Sequence, residues 1–161
     1  MDELNNAFAS LRRAQLEARI QELNRLITQY RNEINYYTDQ ITNIDRSYES
    51  LSSFKAAVQQ SQECFSAAST GKSSVLEQVK AVSRNNTAAA KYYDGMKHVL
   101  TGTGAKIASK VYSLLLTKIG SEQGSLRTQS DNYSNTISYY NRLLANAQSE
   151  LAQKKQELQN I

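Results

Sequence analysis

A chain of 161 residues with 40% apolar and 21% charged residues has the size of one ordinary domain. It contains no proline and six glycines, where average usage would supply about eight prolines. Sandwiches, barrels and loop-rich secreted scaffolds are thereby excluded, and long helices are expected. Nineteen Lys and Arg against fifteen Asp and Glu leave a net charge of +4. The basic residues are scattered except at Arg12-Arg13 and Lys154-Lys155, whereas a nucleic-acid footprint would cluster them on one face. No nucleic-acid role is expected.

The chain opens on the acidic Met1-Asp2-Glu3 with no signal-peptide core. No stretch approaches the ~20 apolar residues of a membrane span. The expectation is a cytoplasmic protein without membrane insertion, whose export, if any, needs no cleaved signal. Met1, Leu4, Phe8 and Leu11 carry helical spacing, which slips by one residue at Gln15. From Leu16 the apolar residues step by four and three without a miss. One set is Ile20, Ile27, Ile34, Ile41 and Tyr48; the other is Leu16, Leu23, Tyr30, Tyr37, Ile44 and Leu51. β-branched residues at a and Leu at d make the seam of a coiled coil.

The centre is richer in Ser, Ala and Gly. Thr70-Gly71 reads as a helix stop, Ser74-Val75-Leu76-Glu77 as a capping box, Arg84-Asn85-Asn86 as a weak break, and Thr101-Gly102-Thr103-Gly104 as the clearest loop. The predicted helices are ~2–68, ~74–84, ~87–100 and ~105–161. Cys64, beside Phe65, reads as a small buried hydrophobe. A core is expected from Phe54, Val58, Phe65, Leu76, Val79, Met96, Leu100, Ile107, Val111 and Leu115.

The C-terminal part repeats the heptads with Leu126, Tyr133, Ile137, Tyr140, Leu144, Ala147, Leu151, Leu158 and Ile161; Ser130 and Lys154 fill the two polar positions. Two equal stripes at opposite ends of one chain predict an all-α, elongated antiparallel helical hairpin. Its arms are ~2–68 and ~105–161 and its short-helix head is ~52–125, all within one helical domain over 1–161. In the predicted register, facing residues sum to 181. Ile20 then meets Ile161, Ile34 meets Ala147, and residues before Ile20 overhang.

Chemistry-bearing motifs are weak. Gly71-Lys72-Ser73 lacks the earlier glycine and the strand of a P-loop, since position 66 is Ser66. Gly102-Thr103-Gly104-Ala105-Lys106 reads as a plain loop rather than an anion site. One histidine, His98, and one cysteine do not make a zinc site, and nothing in the sequence orients His98 toward Cys64. No enzyme activity, catalytic residue, metal or cofactor is expected. What exceeds the needs of a two-helix seam is apolar surface: Leu26, Tyr36, Leu115, Leu116, Tyr139 and Leu143 lie beside it. That width belongs to a helix with more than one neighbour. Candidate partner-binding residues are Leu4, Phe8, Leu11, Leu26, Tyr36, Tyr139 and Leu143.

A helical hairpin of this length, with a Ser/Gly-containing centre and Tyr93-Asp94-Gly95 near its midpoint, resembles the WXG superfamily of type VII (ESX) secretion. Within it the chain is most similar to the YwqH-like family that accompanies LXG-type toxins in Gram-positive bacteria. The resemblance is one of layout over the whole chain. It implies that Tyr93 and Gly95 form the WXG-like turn, with Tyr in place of Trp. It also implies an accessory, chaperone-like role: binding the helical N-terminal domain of a secreted toxin, with a second small WXG-like protein as a further partner; the stripes themselves also allow a homo-oligomer. No Tyr or Phe has Asp or Glu at the fourth position after it, so the family's export signal is absent and targeting would rest on the partner. Two other classes fit the same stripes: a self-assembling structural coiled coil of phage, spore or filament type, and a membrane-surface helical module.

Overall fold

The computed structural model describes residues 2–84 and 87–161, and the side chains of these except 2–5 and 82. The fold is all-α and hairpin-like. Three helices follow in order: α1 Asp2–Ser83, α2 Thr87–Thr101 and α3 Thr103–Gln159. Among the described residues there is no strand.

The predicted stop at Thr70-Gly71 does not occur, and the predicted helices ~2–68 and ~74–84 are one. No glycine among the described residues adopts a positive φ, so Gly71 does not cap a helix. A mid-helix glycine costs only about 1 kcal/mol relative to alanine, and continuing the helix buries Leu76 to 6% exposure. Ser73 serves the helix rather than ending it, its hydroxyl donating to the Ser69 carbonyl at 2.8 Å. The break after Ser83 is there: Arg84 is a turn residue, and Asn85 and Asn86 lie outside the described residues. The loop expected over Thr101–Gly104 shrinks to a bend at Gly102, bridged by the Lys106 amide donating to the Gly102 carbonyl at 3.2 Å.

The chain divides into two compact units, Met1–Asp45 with Arg127–Ile161, and Arg46–Leu126. The first is a two-helix seam. Leu23, Ile27 and Ala147 are its buried core, and Tyr30, Leu144 and Leu151 pack against them. These residues pair under a sum of 174: Leu23 with Leu151, Ile27 with Ala147, Tyr30 with Leu144. The predicted register of 181 is therefore off by one heptad. The same sum sets Leu16, only 7% exposed, opposite Leu158 and leaves Ile161 exposed, so the predicted pairing of Ile20 with Ile161 is lost and the overhang is seven residues shorter. Both registers keep a against d. The observed one sets Lys154 opposite Ile20 rather than Ile27, and its ammonium pairs with Glu157, one turn on in the same helix, at 3.0 Å. It also brings Arg19 onto Glu150 with two hydrogen bonds of 2.8 and 2.9 Å.

In the second unit the seam is built from Val58, Leu76, Tyr93 and Ile119, all buried, with Phe65 against Tyr112 at a ring separation of 6.1 Å. A polar layer interrupts it, the Gln123 amide donating to the Ser52 hydroxyl at 2.9 Å. Tyr93 ties α2 to α1: its hydroxyl donates to Glu77 at 3.4 Å, and the Lys80 and Lys97 ammoniums lie 5.9 and 5.7 Å from its ring centre. Three residues assigned to this core from sequence, Phe54, Ile107 and Val111, are exposed. Cys64 is also exposed, contrary to expectation. It sits one residue, about 100° of helix, away from the inward Phe65.

Two predictions follow from this packing. In a Cys64→Ser background, Ile27→Cys with Ala147→Cys should cross-link within one chain on mild oxidation, and Ile34→Cys with Ala147→Cys should not, since facing core positions meet disulfide geometry; non-reducing gels decide. A Cβ on Gly102 would run into the His98 carbonyl oxygen, whereas one on Gly120 meets nothing. Gly102→Ala should therefore lower stability by about 1–3 kcal/mol, while Gly120→Ala, in the interior of α3, should raise it by about 1 kcal/mol, both read from denaturant melts.

Candidate partner-binding surface

In the first unit, two long tyrosine-bearing helices meet, and each presents adjacent tyrosines. Tyr37 and Tyr140 point to the seam and stack at 6.2 Å with 21° between their planes. Tyr36 and Tyr139 flank them edge-on, at 5.2 and 5.5 Å. Four rings thus run from one exposed edge to the other, with Tyr30 and Tyr133 behind them at 6.0 and 5.3 Å. Burial pushes the Tyr140 phenol up, with the neighbouring Glu33 carboxylate adding to the shift.

Tyr36 and Tyr139 are about half exposed, at 55% and 52%, and Leu26 and Leu143 are half-buried. All four flank the seam, and the 174 register places Leu143, Tyr139 and Tyr36 at successive levels beyond Leu26. The structure brings this set together. It does not bring Phe8 and Leu11 to it: both are exposed, but Leu11 lies 25 residues before Tyr36, about 38 Å along α1. The side chain of Leu4 lies outside those described.

The WXG-like turn is not formed. Tyr93, Asp94 and Gly95 are consecutive helical residues inside α2, and the chain reverses between Ser83 and Thr87 instead. Tyr93 is buried against α1, while Gly95 is exposed with open space around it. The aromatic at this position packs a core, and the glycine does no conformational work.

The second unit holds apolar surface that sequence reasoning missed or put inside. Phe54, Val75, Tyr92, Val99, Ile107, Val111 and Leu114 are all at least half exposed. Two grooves open beside the Gly102 bend. They share Phe65, Ser69, Leu100 and Ala105 on the seam and differ in what flanks it, so they open on its two sides. One, of about 560 Å³, is polar, with Gln59, Gln62, Glu63, Ser66 and Lys106. The other, of about 540 Å³, is apolar, with Ala68, Val99 and Gly104 and the basic edge of Lys72 and His98. The signal for this surface was present as i, i+7 repeats one step off the seam (92 and 99; 107 and 114).

Charge is divided as unevenly as apolar surface. Arg46–Leu126 contains ten Lys and Arg against five Asp and Glu, a net +5, and the remaining residues contain nine against ten, a net −1. Among the described residues no cluster of His, Cys, Asp or Glu is suited to hold a metal ion, and no helix is long and apolar enough to cross a membrane. Compared with family models, curated proteins and solved structures, the chain matches none.

The cross-helix ion pair gives a pH-dependent handle on the seam. The Arg19 guanidinium, by hydrogen bond and charge, holds the Glu150 carboxyl below its ordinary value, while Glu150 raises Arg19. A carboxyl depressed by folding stabilises the fold above its unfolded pKa, and that contribution is lost as pH falls through the lowered one. The melting-temperature gap between the wild-type chain and Glu150→Gln should therefore be present at neutral pH, shrink on acidification through the carboxylate range, and weaken with added salt, because the pair is exposed.

Proposed function

We propose that the chain is a non-enzymatic helical binding protein whose partner is another helical protein, and that it serves as an accessory or targeting chaperone of the YwqH-like kind. On this reading it holds the helical N-terminal domain of an LXG toxin before or during type VII export, acting in the cytoplasm and leaving it, if at all, with that partner. The support is one observation: large apolar side chains stand exposed beside seams already filled. The Tyr36–Tyr37–Tyr140–Tyr139 chain and the apolar side of Arg46–Leu126 exceed what two antiparallel helices cover. Tyrosine suits such a surface, since it buries a ring and keeps a hydroxyl in water. A partner's helix added to either side would complete a bundle.

Co-expression with the helical N-terminal domain of an LXG toxin encoded beside this chain should give one peak on size exclusion, and Tyr36→Ser with Tyr139→Ser should weaken it. Separate elution at micromolar concentration would refute the reading. A homo-oligomer that forms without the toxin domain and excludes it would favour the self-assembling alternative.

A further inference from the structure

The exposed apolar residues of Arg46–Leu126 share one side of the α1 to α2–α3 pair, and their spacing shows it. On α1, Phe54, Ala68 and Val75 are separated by multiples of seven, so they stand in one line. Tyr92 and Val99 are seven apart on α2. On α3, Gly104 and Val111 are seven apart, as are Ile107 and Leu114. Ala68, Val99 and Gly104 all line the apolar groove at the Gly102 bend, which fixes the three lines to the same side of the seam. Between the rows lies the apolar groove of about 540 Å³, with open space over Gly104, and the α1 row from Phe54 to Val75 runs about 32 Å.

The groove's shape and charge choose the occupant. An apolar groove between two helices offers a third helix contacts on both of its flanks. The unit carries +5. On this side Lys72 borders the groove, and Lys118 continues the line of Gly104 and Val111, with Glu122 the one acid beyond it. Neither lysine is held in an ion pair among the described residues. A second copy would set the same two lysines against each other, so self-pairing gains nothing from charge, whereas an acidic partner is attracted. We propose that this side seats an acidic amphipathic α-helix of another protein, which lies along the rows and sets an apolar side chain into the groove at the Gly102 bend. The inference rests on the reading of the chain as a helix-binding protein and adds the surface and the charge of what it binds.

The test uses two designed helical peptides of about 21 residues, roughly the length of the α1 row. They share a Leu stripe at a and d, and one is flanked by Glu, the other by Lys. At low salt the full-length chain should bind the Glu peptide about tenfold more tightly than the Lys peptide, and salt should narrow the gap. Val111→Glu with Leu114→Glu should abolish binding of the Glu peptide while the helical circular dichroism is unchanged. Lys72→Glu with Lys118→Glu should reverse the preference, which a merely misfolded variant would not do. Bound peptide should slow maleimide labelling of the exposed Cys64, four residues before Ala68. Equal binding of the two peptides, or binding indifferent to the Val111 and Leu114 changes, overturns the proposal. So does a dimer that those changes dissolve, or pelleting with phosphatidylserine vesicles without peptide binding. Such a failure leaves the toxin-domain reading standing on its own co-elution test, and failure of that test with selective peptide binding removes only the named partner.

Discussion

Two antiparallel helices share one seam, and an apolar side chain that does not fit into it stays in water. The rest of this structure follows from that constraint. In the first unit the seam is filled by alternating bulk. Ala147 makes room for Ile27, Leu23 is almost wholly enclosed at 1% exposure, and tyrosines interleave where the helices carry aromatic pairs. Once Tyr37 and Tyr140 occupy the seam, Tyr36 and Tyr139 have no inward position left, because adjacent residues on a helix point about 100° apart.

The second unit reverses the usual distribution. Its inward positions include Ser52, Ser69, Ser73 and Gln123, partly satisfied by hydrogen bonds to one another and to backbone carbonyls. Meanwhile Phe54, Ile107, Val111 and Leu114 face out. A seam this polar gains less from burial than an apolar one, and the outward apolar rows give the unit reason to recruit a further layer. The concentration of lysine here, against near-neutrality in the other unit, gives that recruitment a sign. The same surplus of outward apolar side chains occurs in both units. It is carried in one by aromatic rings at an edge and in the other by rows beside a groove with a basic border.

The fold class was legible because absence of proline and a 3.5-residue period sustained over both ends leave a chain few options. The antiparallel pairing of the two ends, the break after Ser83 and the a/d membership of Leu16, Leu23, Ile27, Tyr30, Leu144, Ala147 and Leu151 were read from residues alone. So was the surplus at Tyr36 and Tyr139. The errors have a common origin in signals that are local and degenerate. Gly71 carries the composition of a stop, but whether a glycine ends a helix depends on what the next turn buries, and here that is Leu76. Tyr93-Asp94-Gly95 has the order of a turn motif, yet α2 packs Tyr93 inward and continues through it.

The sequence by itself determined that the chain is helical, that its ends pair antiparallel, and which residues form the seam of the arms. It could not choose between registers of 181 and 174, because a shift of one heptad returns every a to a d. Only the tertiary structure decided that, through Leu16 finding cover and Arg19 meeting Glu150. It alone also decided which side of each central helix is inside. In a stretch where Ser, Ala and Gly dilute the pattern, two stripes one step apart are nearly equal in hydrophobicity, and the choice between them is made by the helix that packs opposite.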